Sequence, residues 1–210
     1  MLFRRKPIFI LMALSSAQIL QPTTTGASPW TLREIAGRFV EISSSAASAS
    51  LTIVFALLRE AQEQKELVGW VTSMEDFFYP PDAAQVGIDL TALAVIRLSR
   101  SENIPRAGEK LLRSGGFGVV VLDLGAGDIP MPLQSRLTGL AHHHHTALIC
   151  LTGKEQAMLS IGSLVSLRVH AVRRHAQENR FACALNVVKD KRRGPTWTHE
   201  VFCSGPAGLC

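Results

Sequence analysis

The sequence predicts an α/β domain: a mostly parallel sheet flanked by helices, with an antiparallel edge on its C-terminal side. Three observations predict it. Between Trp30 and Leu151, short apolar runs alternate with stretches of helical periodicity, which is the pattern of β-α-β units. Beyond Gly162, three strand-like runs follow one another with only turns between them, too close for crossover helices. The composition, 47% hydrophobic and 19% charged over 210 residues, suits one well-buried core.

Phe39 to Ile42 reads as a short strand, and Leu51 to Gln64 has helical spacing of Leu51, Val54, Phe55, Leu57 and Leu58. Leu67 to Thr72 is the next strand, and Pro80-Pro81 opens a short helix ending near Gly87. Leu93 to Leu98 is a strand. Ile104 to Ser114 is a helix stopped by Gly115-Gly116. Gly118 to Leu124 is a buried strand, Leu133 to Leu140 a helix, and Ala147 to Leu151 a further strand. Leu167 to Val172, Cys183 to Val188 and His199 to Cys203 form the expected antiparallel edge. No internal repeat stands out.

Pro22 to Pro29 has linker composition, so residues 1–29 are expected to be a separate N-terminal segment and residues 30–210 the domain. Met1 to Lys6 is basic, and Ile8 to Leu14 is apolar, like the first two regions of a secretion signal. That apolar stretch falls short of the ~20 residues of a membrane-spanning helix. A signal, a docking or packing helix from Ile8 to Leu20, and sequence upstream of a misplaced start remain open. Cys150, Cys183 and Cys203 sit in strand-like runs, where a thiol acts as a small hydrophobe, and no Cys-x-x-Cys occurs. Reduced cysteines and a cytoplasmic location are the expectation, with no membrane partner.

The net charge of +5 predicts no partner by itself. Its distribution does more: Arg173, Arg174, Arg180, Lys189, Lys191, Arg192 and Arg193 face only Glu178 and Asp190 across the same stretch. An anionic partner would be drawn there, although a basic hairpin also reads as a solvated face. His142 to His145 reads as a polar helix end or turn before the Ala147 strand, because four consecutive histidines cannot all face one ion. No metal site is expected. No serine-histidine-acid, cysteine-histidine or paired-carboxylate pattern has a local signature.

The order of segments from about Arg38 to Leu209 resembles the core of the RecA recombinase superfamily. Arg38-Phe-Val-Glu-Ile42 resembles the strand leading into that family's phosphate loop, and Met74-Glu75 the position of its catalytic glutamate. Gly87-Ile-Asp-Leu90 is similar to the turn that follows. Leu112 to Gly115 and Val119 to Asp123 resemble the helix and the Walker B strand. Asn186 to Lys191, then Pro195 and the strand through Phe202, resemble the family's basic hairpin. Arg113 to Leu124 is closest in wording to the ImuA family, short RecA-like accessory proteins encoded beside a Y-family-like polymerase subunit.

The resemblance implies a RecA-like sheet and a role in DNA repair. More narrowly, it implies damage-induced translesion mutagenesis within the SOS response. It also assigns sites: Glu75 as the catalytic position, Ser48, Ala49, Ser50 and Asp123 as the cofactor positions, and Lys189 and Lys191 as reaching a neighbouring subunit. Arg192, Arg193, Arg173 and Arg174 would extend a contact to single-stranded DNA. An active phosphate loop needs glycines to wrap backbone amides round the phosphates, a lysine for the outer ones and a hydroxyl for Mg²⁺. Ser43 to Ser50 has neither glycine nor lysine. The missing lysine alone removes a contact of roughly 1.5–3 kcal/mol. Thr152-Gly153 replaces a nucleotide-sensing Asn-Gln pair, and Lys154 to Leu164 is too short for the family's DNA-gripping loop.

The expectation is therefore no bound ATP or Mg²⁺ and no hydrolysis, with Glu75 inert and Asp123 structural. Function would lie in docking a polymerase subunit or RecA. An ATP-dependent, DNA-binding recombinase is the alternative.

Overall fold

The structure is a computed structural model and describes residues 30–45, 49–74, 78–177 and 180–204. Its elements in chain order are α1 (Leu32–Ile35), β1 (Phe39–Ser44), α2 (Ser50–Glu63), β2 (Leu67–Ser73), α3 (Pro80–Gln85) and β3 (Leu93–Leu98). Then follow α4 (Ile104–Ser114), β4 (Phe117–Gly125), α5 (Met131–His143), β5 (Ala147–Thr152), β6 (Leu167–Gln177), β7 (Arg180–Asp190) and β8 (Thr198–Ser204). The expected segment 1–29 lies outside the described residues.

All eight strands form one sheet in the order β3-β2-β4-β5-β1-β6-β7-β8. The first six in that order pair parallel, and β6-β7 and β7-β8 pair antiparallel. The expected fold class is thus the observed one. The central strands are near-continuous apolar runs because helices cover both their faces. On one face Ile53, Val54, Leu57 and Leu58 of α2 pack with α1, Phe78 and Ala83 over Val40, Ile42, Trp70, Val121 and Ile149. On the other, Ile104 and Leu112 of α4 and Leu137 and Ala141 of α5 cover Phe39, Val120, Leu122 and Leu148. Helix α4 sits close to the sheet at Gly108, where an added Cβ would come 2.6 Å from the Leu122 side chain.

Strands β6 and β7 and helix α5 differ from expectation for physical reasons. Strands β6 and β7 run several residues further than their apolar cores, because an antiparallel edge leaves one face to water and tolerates Arg173 to His175. Helix α5 begins at Met131, since Pro132 is at home in a first turn. It also takes in His142 and His143, so the histidine run is the end of a helix, with His145 turning the chain at φ 54°. Cys150, Cys183 and Cys203 lie in β5, β7 and β8, Cys210 lies outside the described residues, and Cys203 donates to Cys183 at 3.3 Å.

Candidate functional site

Ligands of open α/β sheets bind at the carboxyl ends of the strands, where neighbouring connections leave on opposite faces. The carboxyl end of β1 is such a point. Strand β1 continues into α2 on one face, while its neighbour β5 runs into segment 153–166, whose Ile161 and Val165 pack on the other. Helix α2 starts at Ser50, with Ala49 at its N-cap and no side chain capping it. Ala49 and Ser50 are both buried. Ser48 falls on residues 46–48, outside the described residues, and so does Glu75.

Alternation along the strands decides what faces this mouth. Val121 of β4 and Trp70 of β2 point toward α2, so Asp123 and Thr72, two residues on, do so as well. Thr72 Oγ1 donates to Asp123 Oδ2 at 3.4 Å. Ser43 points the opposite way. Its Oγ lies 3.3 Å from the Val169 carbonyl and 3.2 Å from His170 Nδ1. This serine-histidine contact has no local signature in the sequence. Burial, and then the nearby Arg168 charge, lowers the His170 pKa, partly opposed by Glu155. Ser43 is fully buried, so the contact joins β1 to β6 and offers no open nucleophile.

The polar cluster that sequence reading missed lies beneath segment 153–166. Glu41, fully buried on β1, accepts from Thr152 Oγ1 at 3.2 Å, Ser160 Oγ at 2.5 Å and the Ile161 amide at 3.2 Å. Arg168 on β6 lies 3.7 Å from Glu41 and donates to the carbonyls of Met158 and Glu155. Gln134 of α5 ties the carbonyls of Ile129 and Ile161. The loop is held down from below, and Thr152 spends its hydroxyl on Glu41 rather than on the mouth. The signal was present: a glutamate in the middle of an apolar strand, facing an arginine in another.

The basic residues divide into two groups. Leu167 pairs with Asp190 at one end of the β6-β7 ladder, and Arg174 pairs with Ala182 near the other. At ~3.3 Å per residue the two ends stand on the order of 20 Å apart. Arg173 and Arg174 therefore do not form one face with Lys189 to Arg193. Arg173 stacks on the Phe181 ring at 3.8 Å. Lys189 and Lys191 both donate to the Ser163 carbonyl, at 3.2 and 2.8 Å. Burial, then repulsion from Lys191, lowers the Lys189 pKa. Arg193 pairs with Glu34 at 2.6 Å, and Arg192 donates to the Glu34 carbonyl at 3.4 Å.

The hairpin is anchored by Asp190. It meets Arg38 at 2.6 Å, and both side chains are buried. It also accepts from the Arg192 amide at 2.9 Å and Trp197 Nε1 at 3.0 Å. Among the described residues, no three His, Cys, Asp or Glu side chains converge as metal ligands. Among them, too, no helix is long and apolar enough to cross a membrane.

No family model matches the chain. RecA proteins of several bacteria are similar to it. That of Treponema denticola is 28% identical over 145 residues, which cover 63% of this chain and 34% of that protein. That of Cytophaga hutchinsonii is 30% identical over 129 residues, 56% of this chain and 36% of the relative. That of Chlorobium chlorochromatii is 30% identical over 125 residues, covering 54% and 35%. The chain spans about a third of the length of these relatives. Partial identity of this order, together with the sheet, supports placing the chain in the RecA-like superfamily.

Proposed function

We propose that this chain is a RecA-like accessory factor in DNA repair, of the kind used in damage-induced translesion mutagenesis. It works by docking partner proteins and touching DNA weakly, without hydrolysing ATP. One observation carries the reading. The strand-loop-helix frame between β1 and α2 persists, yet Ser43 to Ser50 contains no glycine and no cation. Phosphates at a helix N-terminus need backbone amides aimed by glycine-permitted turns, and a lysine for the outer charge. A polymerase subunit resembling the Y family, or RecA itself, is the partner this reading names. A cytoplasmic location and the lack of a bound cofactor go with it.

The alternative, an ATP-dependent recombinase, draws on Asp123 and Thr72 meeting on the α2 side of the same edge. Calorimetric titration of the purified chain with ATP and Mg²⁺ separates the two. No heat is expected. Micromolar binding would overturn the reading, and loss of turnover in Glu75→Gln would then establish hydrolysis.

A further inference from the structure

The cations of the β7-β8 hairpin have partners within the protein, whereas a second basic group outnumbers the acid beside it. Helix α4 carries Arg106, Lys110 and Arg113, all exposed, at spacings of four and three residues. These spacings put them on one face, with ~6 and ~4.5 Å of rise between successive ones. Its opposite face buries Ile104, Gly108 and Leu112 against the sheet. Arg136 reaches in from α5, and together they line a groove of about 530 Å³ between the two helices. The groove's single acid, Glu109, is taken by Arg113 at 2.6 Å, with Arg136 at 3.9 Å. Arg106 and Lys110 form no ion pair among the described residues. The groove thus holds a surplus of three positive charges, two of them uncommitted.

The other flank of α5 has a groove of its own, about 430 Å³, whose rim includes Gly139, His142, Lys191 and Arg192. Only the body of α5, ~10–12 Å across, separates the two grooves. On α5, Gly139 is exposed, and nothing lies within 4 Å of where its Cβ would be.

We propose that this face of α4 and α5 is a track for single-stranded nucleic acid. The phosphates run from the Arg106-Lys110-Arg113-Arg136 groove across Gly139 to Lys191 and Arg192. An extended polyanion can occupy both grooves at once, which a small anion cannot. Guanidinium forks suit phosphate, to which they donate in pairs. The first groove offers one aliphatic side chain, Leu133, besides its prolines. An acidic amphipathic peptide would need a longer apolar stripe. The proposal deepens the DNA-contact part of the reading above and moves that contact from the hairpin alone to the helical face. It does not require a dead nucleotide loop.

The test is fluorescence anisotropy of the full chain with a labelled oligothymidylate over a salt series. Each phosphate contact to a single strand contributes about 0.7 to the slope of log K against log salt. Arg106→Gln/Lys110→Gln is expected to weaken binding and reduce that slope by about 1.4. Gly139→Glu, whose added Cβ meets no atom within 4 Å and which raises helix propensity, is expected to weaken binding while the protein melts no lower than wild type. Lys65→Gln, an exposed cation just past the end of α2 on the opposite side of the sheet, is expected to change nothing.

No salt-dependent binding by the wild type would overturn the proposal. So would binding that both helix-face variants leave intact, or equal displacement by polyglutamate of matched charge, which would make an acidic protein the occupant. Each of these leaves the ATP titration untouched, so failure here is distinct from failure of the accessory-factor reading.

Discussion

Asp190→Asn removes one charge from the pair that anchors the β7-β8 hairpin to the first strand. The wild-type carboxylate takes Arg38 and the Arg192 amide on one oxygen and the Trp197 indole on the other. An asparagine keeps one oxygen and turns an amide donor toward either Arg38 or Trp197, donor against donor. Arg38, 4% exposed, loses its counter-charge either way, and where the amide turns toward it keeps only the Ser166 hydroxyl and carbonyl. Removing one partner of a buried ion pair costs about 3–5 kcal/mol. In a chain of this size each kcal/mol moves Tm by about 2–4 °C, so the expected drop is roughly 6–20 °C.

Urea unfolding followed by tryptophan fluorescence gives the free energy directly, with Trp197 reporting on the hairpin. The double variant Arg38→Met/Asp190→Asn should be less destabilised than the sum of the single changes, because the unpaired charge is gone. A cost below about 1 kcal/mol, or strict additivity, would refute the view that the pair is desolvated and coupled. The pH dependence has a definite sign. Burial raises the Asp190 pKa, but the bonds from Arg192, Trp197 and Arg38 and the Arg38 charge outweigh it, and the net shift is downward. The folded chain therefore holds this proton less tightly than the unfolded chain. The pair's stabilisation is complete above the unfolded value near 3.9 and is lost as pH falls through the lower folded value. The gap between wild type and Asp190→Asn should close in that acid range.

Two helix glycines should respond in opposite directions to alanine. Gly108→Ala drives a methyl against the buried Leu122 and should cost about 1–2 kcal/mol net of helix propensity, whereas Gly139→Ala should gain about 0.5–1 kcal/mol. Thermal melts of the pair check this, and a stabilising Gly108→Ala would contradict the close approach of α4 to β4. Glu41→Gln should release segment 153–166, seen as faster tryptic cleavage after Lys154 and a loss of at least ~2 kcal/mol. Unchanged cleavage would mean that Glu41 does not hold the loop. Burial, and then the Glu41 charge, pushes the Cys150 thiol well up, so it should resist alkylation in the native protein and react only on unfolding. Mass mapping of native-state labelling measures this, and early labelling of Cys150 would count against its burial.

Much of the fold was legible because periodicity and burial coincide in the centre of the sheet. Helix α4 was expected over its observed span, since Gly115 in the left-handed region stops it where the sequence places a Gly-Gly pair. The expected spans of β6 and β7 were too short, because an antiparallel hairpin tolerates polar side chains on its solvent face. Helix α1, four residues long, carries no period to detect. The candidate site was legible only in outline. A loop without glycine or lysine is readable in order along the chain, whereas which side of β1 Ser43 faces depends on alternation against strands far away.

From its residue order alone, this chain determines an alternating α/β core, an antiparallel C-terminal edge and a segment, Ser43 to Ser50, with neither glycine nor lysine. These are local properties, set by spacing, turn residues and side-chain charge within a few residues of one another. The meeting of Glu41 with Arg168 and of Arg38 with Asp190 was decided by tertiary packing. So were the separation of Arg173 from Lys189 and the joining of Arg136 to the cations of α4. The physical reason is range. Periodicity fixes which face a side chain takes, but the partner on that face arrives through sheet order and register, across sequence separations that no local pattern encodes.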